Sequence, residues 1–432
     1  MATDLKDKHI ADLHALAAEA GVEGYRKLSR EELVRAISES GVEPAPAEPA
    51  GVEPDADEVV VEATVVAAGA DEAVEVDAAG ARQPDGPEPD TEEVSGILEI
   101  LPQRYGFLRM HGLEADPGDV YISASQVRRC ELRTGDEVAG PAREPRRGER
   151  HRALVHVDQV NGEEPLAAER PEFGDLAPVP AERRVAPGDE VLARAIDLLA
   201  PLALGQRVLV RAAPRAGRTT LLRGIARGLQ QTEGVELIVL LIDERPEEAT
   251  AWREAVPDAQ FAIATADMAP ADQVRVAELA LERGRRRAET GGDAVLLVDS
   301  LSRLAYADGG PDAVKHLFGS GRNLNGAGSL TVVATTLAGA DDEGEAERAV
   351  ATTENALVTL DPELAAAGVH PAIVPGECRI SNEEMLRDPQ ELDAARKLRS
   401  LLADLDPPEA AALLRERIEG SASNAELLAG MA

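Results

Sequence analysis

The sequence predicts a multidomain α/β chain, and three observations carry that expectation. From RVLV at 207–210 to AVLLVDS at 294–300, strand-like apolar runs alternate with helical periods, the pattern of a parallel sheet flanked by helices. Between Ser95 and Val160, short β-like runs alternate with turn residues, which suits a small antiparallel barrel. A stretch rich in Ala, Pro, Glu and Asp then separates that barrel from an N-terminal segment with helical spacing.

The elements follow in order. Over residues 1–40, Ile10, Leu13, Leu16 and Ala17 fall at helical spacing, and Ser29-Arg30-Glu31-Glu32 offers a capping box before Leu33, Val34 and Ile37, predicting a small helical module. Residues 41–94 hold 16 acidic residues against Arg82 alone, a composition that predicts a disordered, self-repelling linker. Residues 95–160 carry the runs GILEI, YGFLRM, DVYIS, DEVAG and ALVHVDQV of the barrel, and a Pro- and Glu-rich connector spans 161–185. The α/β domain is expected over 186–384, with helices that pack on it over 385–432, where Leu398, Leu401, Leu402, Leu405, Leu413, Leu414 and Ile418 recur at helical spacing.

Composition narrows the classes of function. The chain has 432 residues, 45 basic and 80 acidic, a formal net charge of −35, and 44% hydrophobic residues. That length suggests about two to four domains of roughly 100–200 residues, and the apolar content excludes a wholly disordered chain. Uniform acidity would repel a phosphate backbone, so the location of the charge matters. It divides into −2 over 1–40, −15 over 41–94, zero over 95–160 and −18 over 161–432. The barrel therefore escapes the acidity. Cys130 and Cys378 are the two cysteines, which supports neither a disulfide framework nor a zinc site. No apolar stretch reaches the roughly 18 residues of a membrane span, and the N-terminus lacks a signal-peptide core, so a cytoplasmic protein with no membrane partner is expected. Of the 45 basic residues, 40 are Arg and five are Lys, a bias read as genomic.

Three motifs carry chemistry. In YGFLR, Tyr105, Phe107 and Arg109 alternate along one strand, so their side chains share a face while Gly106 leaves the other bare. Exposed, they would form a stacking platform for unpaired bases with a guanidinium for phosphate; the same pattern also suits a barrel core, and Arg109 favours the first. Val208–Val210 runs into Ala212-Ala213-Pro214-Arg215-Ala216-Gly217-Arg218-Thr219-Thr220 and a helix. A phosphate loop in that context would cradle phosphates on backbone N–H groups. Gly217 and Thr219 satisfy the pattern, whereas Ala212 and Arg218 replace its first Gly and its Lys, so an ordinary strand–helix turn stays open. Two acidic strand ends, Asp243-Glu244-Arg245 after LIVLLI and Asp299-Ser300 after AVLLV, supply what phosphoryl transfer needs, one acid for magnesium and one to orient water.

These residues resemble the bacterial transcription termination factor Rho family, hexameric RNA-dependent ATPases, over nearly the whole chain. ADLHALAAEAGVEGYRKLSREELVRAI resembles the family's N-terminal helical module; YGFLR, DVYISASQVRRCELRTGD and RRGERHRALVHV resemble its OB-fold, cold-shock-like RNA-binding barrel. IDERPEEAT, LLVDSLSRLA and FGSGRN resemble its RecA-like P-loop ATPase domain. The resemblance implies single-stranded RNA, the nascent transcript, on Arg104, Tyr105, Gly106, Phe107, Leu108 and Arg109. Asp119, Val120 and Tyr121, then Glu149, Arg150 and His151, complete the base pockets, with His151 in place of the family's usual Tyr. It implies ATP and Mg²⁺ as cofactors, with ATP on Ala203, Leu204, Gly205, Gln206, Arg207 and Val208, on Arg215, Ala216, Gly217, Arg218, Thr219 and Thr220, and on Arg245. Glu244 is the implied water-activating carboxylate and Arg218 a catalytic cation. Thr219 and Asp299 serve the metal, and Arg303 senses nucleotide at the subunit boundary of a homo-hexameric ring, with RNA polymerase a further partner.

Several positions depart from the family. Arg215 and Arg218 stand where it has lysines, and guanidinium is larger and planar where ammonium is compact. The segment Tyr306–Asp312 is shorter than the family's channel loop. Ala340–Arg348 carries five acids against one Arg where the family has lysine. Ser381 stands at the trans-acting arginine, with Arg379 two residues away. Two readings follow: an RNA-dependent ATPase that releases transcripts, or a non-catalytic paralogue that binds RNA without translocating. The −18 of residues 161–432 argues against translocation.

Overall fold

The computed structural model describes residues 91–166, 169–185, 188, 190–307, 310–338 and 344–431. The helical module expected over 1–40 and the linker as far as residue 90 lie outside the described residues.

The barrel starts earlier than expected, because Thr91–Val94 are already paired. Strand β1 (Thr91–Ile100) hydrogen-bonds β2 (Gly106–Arg109) and, along its first half, β4 (Glu137–Arg143). With β3 (Val120–Ile122), β5 (Arg152–Leu154) and β6 (Gln159–Val160), the order β1-β2-β3-β5-β4 closes through the β1–β4 pairing, and β6 adds to β4. All these pairs are antiparallel except β3–β5, which is parallel. Leu98, Leu108, Val120, Ile122 and Val138 fill the interior. Helix α1 (Ala124–Arg129) plugs the β3–β4 connection, held by a capping box between Ser123 and Gln126, and Gln126 Nε2 also donates to the carbonyl of Leu154.

The connector adds a short strand, β7 (Pro178–Val179), and β8 (Arg184–Val185) then pairs with β9 (Leu202–Ala203) around α2 (Val191–Leu199). The α/β domain follows with β10 (Arg207–Ala212), α3 (Arg218–Gln230), β11 (Val235–Glu244), α4 (Pro246–Ala255), β12 (Gln260–Thr265), α5 (Pro270–Glu289), β13 (Asp293–Asp299), α6 (Leu301–Ala305) and α7 (Gly310–Gly319). After β14 (Arg322–Leu324) come β15 (Ser329–Leu337), α8 (Gly344–Val350), β16 (Ala356–Leu360), α9 (Pro362–Ala366) and β17 (Arg379–Ile380). The sheet order is β12-β11-β13-β15-β10-β16-β17, with β12 through β16 parallel and β17 antiparallel. Its strands are buried on both faces, hence near-continuous apolar runs such as VELIVLLI rather than alternation. Helices α10 (Pro389–Ala403), α11 (Pro407–Glu419) and α12 (Asn424–Ala429) pack on α2 and the sheet through Leu398, Leu402, Leu414 and Ile418. Asp388, Asp406 and Ser423 cap them.

This topology brings the carboxyl ends of β10, β11 and β13 to one edge. Chain progression from β10 to β11 skips over β15 and β13, and such crossovers open the crevice where doubly wound sheets bind ligands.

Candidate functional site

The loop between β10 and α3 has the backbone of an anion cradle. Arg215 and Gly217 take positive φ of 68° and 90°, and a Cβ on Gly217 would meet nothing within 4 Å, so the loop curls around open space. Helix α3 begins without a side-chain cap, leaving first-turn N–H groups directed at that space. Beside it lies a cavity of about 410 Å³ walled by Ala216, Gly217, Thr220 and Leu221 on one side and Leu360, His370 and Pro371 on the other. The last three carry no sequence signal of their own; Leu360 ends β16, and His370 and Pro371 arrive in the segment after α9.

Arg218 points across the crevice. Its Nη2 lies 3.5 Å from Glu244 Oε1, and its Nε lies 2.8 Å from Asp299 Oδ1. Neither Nε nor Nη1 forms an aligned hydrogen bond, although both are buried. The contact is therefore charge proximity, and the guanidinium keeps donors for a phosphate. Asp299 is 1% exposed and is held from two sides, accepting from Thr335 Oγ1 at 3.1 Å and Thr219 Oγ1 at 3.3 Å. Burial pushes the Glu244 carboxyl above its ordinary range, Asp299 adds to the rise, and Arg218 opposes it. Hydroxyl and carboxylate oxygens at one point are the donor set magnesium prefers, so the chemistry of the site fits both a nucleoside triphosphate and that ion. Arg245, at the N-cap of α4, is exposed with no ion pair among the described residues.

Other expected members fall elsewhere. Ala203–Val208 precede or begin β10, the end opposite the loop. Ala203, Leu204, Gln206 and Val208 are buried, Gln206 Oε1 accepts from the Ala203 N–H, and Arg207 donates to the carbonyls of Thr353 and Gly321. Within one chain these residues brace the start of β10, at the end of the strand away from the loop. Arg303 pairs with Asp243 at the crevice rim. Ser381 donates its backbone N–H to Asn355, and Arg379 is exposed on β17. Of the short channel segment, Asp308 and Gly309 lie outside the described residues, as do Gly339–Glu343. Glu347, one of the acids expected to oppose RNA, faces Arg211 at 3.5 Å.

The barrel face splits the aromatic strand differently from expectation. Tyr105, Phe107 and Tyr121 form one half-exposed cluster, with ring centroids 5.6–6.0 Å apart, and His151 meets Phe107 edge-on at 4.9 Å. His151 Nδ1 is buried without a hydrogen bond. Arg109, expected to face solvent with them, is 8% exposed; it lies beside the Phe107 ring and is clasped by Glu99 and Asp119. Asp119 also accepts from the backbone N–H groups of Met110 and Asp116. Leu108 and Val120 are core. Gly106 faces no void, since a Cβ there would lie 2.6 Å from the Glu99 carbonyl oxygen. Arg109, Leu108, Asp119, Val120 and Gly106 are therefore the support beneath the face on which the rings stand. Glu149 is salt-bridged to Arg143 at 2.6 Å, and its carboxyl is lowered to about 2 by that hydrogen bond. Arg104 and Arg150, next in sequence to Tyr105 and His151, are exposed and have no ion pair among the described residues.

The chain is similar to known proteins over most of its length. "Rho termination factor, RNA-binding domain" matches residues 94–166, "Rho termination factor, N-terminal domain" matches 4–45, and "ATP synthase alpha/beta family, nucleotide-binding domain" matches 193–309. Transcription termination factor Rho of Aquifex aeolicus is 38% identical over 367 residues, 78% of this chain and 84% of its own length. The Rhodopirellula baltica protein of that name is 38% identical over 77% of this chain and 70% of its own. The Mycobacterium leprae protein is 37% identical, and this chain spans 60% of its length. Among solved structures, an ATPase from a type III secretion system superposes with a TM-score of 0.51 at 20% identity, over 64% of this chain and 94% of that one, a likeness of fold. No helix among the described residues is long and apolar enough to cross a membrane.

Proposed function

The chain belongs to the transcription termination factor Rho family, and from that premise we propose that it binds nascent single-stranded RNA on its barrel and couples RNA-dependent ATP hydrolysis to transcript release. The observation that carries the catalytic half is the convergence of the 215–220 loop, Glu244 and Asp299 at one sheet edge.

The N–H groups opening α3 and the loop from Arg215 to Thr220 hold the phosphates. Arg218 leaves its carboxylates and turns its unpaired Nε and Nη1 donors to the terminal phosphate. That movement frees Glu244, whose carboxylate orients water for in-line attack and accepts its proton. Magnesium, held by Thr219 Oγ1 and Asp299, would supply charge to the phosphate oxygens. Arg245 and Arg303 stand at the rim, where a neighbouring subunit of a homo-hexameric ring would close the site. On the barrel, Tyr105, Phe107, Tyr121 and His151 stack bases while Arg104 and Arg150 meet phosphate. Our reading of the domains is a helical module to residue 40, a linker, the barrel from Thr91 to Val160, a connector, the ATPase domain from about 186, and the closing helices, working in the cytoplasm with RNA polymerase a further partner.

The contact of Arg218 with both carboxylates also favours a second reading, an RNA-binding paralogue in which that cation permanently fills the catalytic crevice. ATP turnover by the purified chain, with and without pyrimidine-rich single-stranded RNA, separates the two. RNA-stimulated turnover is expected; RNA binding without turnover would sink the motor and leave the paralogue.

A further inference from the structure

Away from both sites, a cavity of about 410 Å³ opens where three parts of the chain meet: the barrel turn at Arg133, the connector at Phe173, and the motor at Arg285, Arg286, His316 and Arg322. The Phe173 ring is 5% exposed and has two guanidiniums against it, Arg285 at 5.4 Å and Arg322 at 5.0 Å from its centroid. Three of the cations have carboxylate partners. Arg285 pairs with Glu282 at 2.6 Å and Arg286 with Glu289 at 2.7 Å, while Arg133 lies 3.7 Å from Glu289 and 3.9 Å from Glu172. Arg322 has none: its Nε donates to the Ser320 carbonyl at 3.3 Å, and no acid lies within salt-bridge distance of it among the described residues. Its neighbour Arg207 is likewise without a carboxylate and is spent on carbonyls.

The surplus bears on the protonation of its own members. Burial, then the charge of Arg285, lowers the pKa of Arg322, and burial, then Arg322, lowers that of Arg207. Arg285 Nε and Arg286 Nε are buried with no hydrogen bond. His316 is held below its ordinary range by burial and by Arg285; its neutral ring accepts from Arg285 at Nε2, 3.0 Å away, so its proton sits on Nδ1 and is available to an acceptor. Unmatched half-buried cations are costly, and donors without acceptors add to that cost.

We infer that this cavity is a binding site for a compact, multiply charged oxyanion of the pyrophosphate class, bridging barrel, connector and motor. Phe173 is buried, so it offers no ring face to stack a base, which favours a free anion over a nucleotide or an RNA segment. Bidentate contacts from Arg322 and Arg285 would match phosphate geometry. The bound anion would fasten the barrel turn to the motor.

Calorimetric titration of the full chain with inorganic pyrophosphate, in saturating ATP analogue so that the phosphate loop is filled, tests the site. One class of binding is expected to remain, and Arg322→Gln should weaken it about tenfold or more, the loss of a charge-assisted pair. Where that variant fails to fold, protection of Arg322 from phenylglyoxal by pyrophosphate in the unaltered chain gives the same reading. No residual binding beside the ATP analogue, or binding indifferent to Arg322 with no protection, would overturn the proposal. Displacement by a short oligocytidine would reassign the cavity to RNA and overturn the free-anion form.

Discussion

Arg218 carries the widest consequences of any single residue. Lysine at this position would present a compact ammonium and could not span from Asp299 to Glu244 as the guanidinium does. Arg218→Lys is therefore expected to raise ATP turnover several-fold by freeing Glu244, measured as kcat with RNA saturating; unchanged or lower turnover would mean the arginine is the working cation. The acid limb of the pH profile reports on Glu244 separately. Because its folded value is raised by burial and Asp299, the carboxylate that orients water forms only above the ordinary glutamate range. Turnover should accordingly fall on acidification through a midpoint displaced upward, and Glu244→Gln should abolish turnover and leave no such limb. The sequence disclosed both residues because each ends a strand or opens a helix. It could not disclose Thr335, which grips Asp299 from an adjacent strand, because strand order is a tertiary fact.

At the scale of elements, β2 shows why alternation is an incomplete guide. Tyr105, Phe107 and Arg109 do share a face, but that outer face runs onto the seam with the motor, where Ile97, opposite Arg109, packs among motor residues and Arg275 lies 3.3 Å from Glu99. Glu99 sits opposite Phe107 in the β1–β2 register and holds the guanidinium there with Asp119. Removing the cation leaves the buried Glu99 and Asp119 carboxylates without the guanidinium between them, so Arg109→Ala should destabilise the protein by about 3–5 kcal/mol, whereas Phe107→Ala should lower RNA affinity with little change in melting temperature. Thermal melts and RNA titrations of both variants decide it; RNA affinity lost with Arg109→Ala at unchanged stability would return that residue to the binding face. The C-terminal helices offer a second element-level test. Burial pushes the Glu383 carboxyl up, but Arg399 and Arg387 outweigh it and hold the group below 4.5. A depressed folded value contributes stability above the unfolded pKa that is lost as pH falls through the folded one. Melting temperature should thus drop as pH falls through and below the ordinary glutamate range, and Glu383→Gln should flatten part of that slope; an unaltered slope would remove Glu383 from the acid response.

For the whole molecule, the net charge of −35 becomes informative only when set on the fold, where much of the motor's acidity is matched by arginine. The seam between barrel and motor shows this most clearly. Arg283, 5% exposed, joins Glu236 of the motor at 2.6 Å to Glu137 of the barrel at 3.0 Å. Gly135, at φ 86° on the barrel turn, lies so close to α5 that a Cβ would stand 2.5 Å from the Arg283 backbone nitrogen. That glycine is required twice, by its conformation and by the approach of the helix. Leu113 reinforces the seam, donating its N–H to the Phe261 carbonyl at 3.0 Å. Sequence patterning located the two domains but not this junction, whose residues lie in a turn and mid-helix and form no motif. If RNA captured on the barrel is to influence ATP turnover, the signal crosses here. Gly135→Ala should therefore preserve RNA affinity, because the ring cluster is untouched, and preserve turnover without RNA, because the crevice is untouched. Stimulation of turnover by RNA should collapse, and proteolysis should release the barrel from the motor more readily. Full stimulation in a Gly135→Ala chain would show that coupling does not run through the seam.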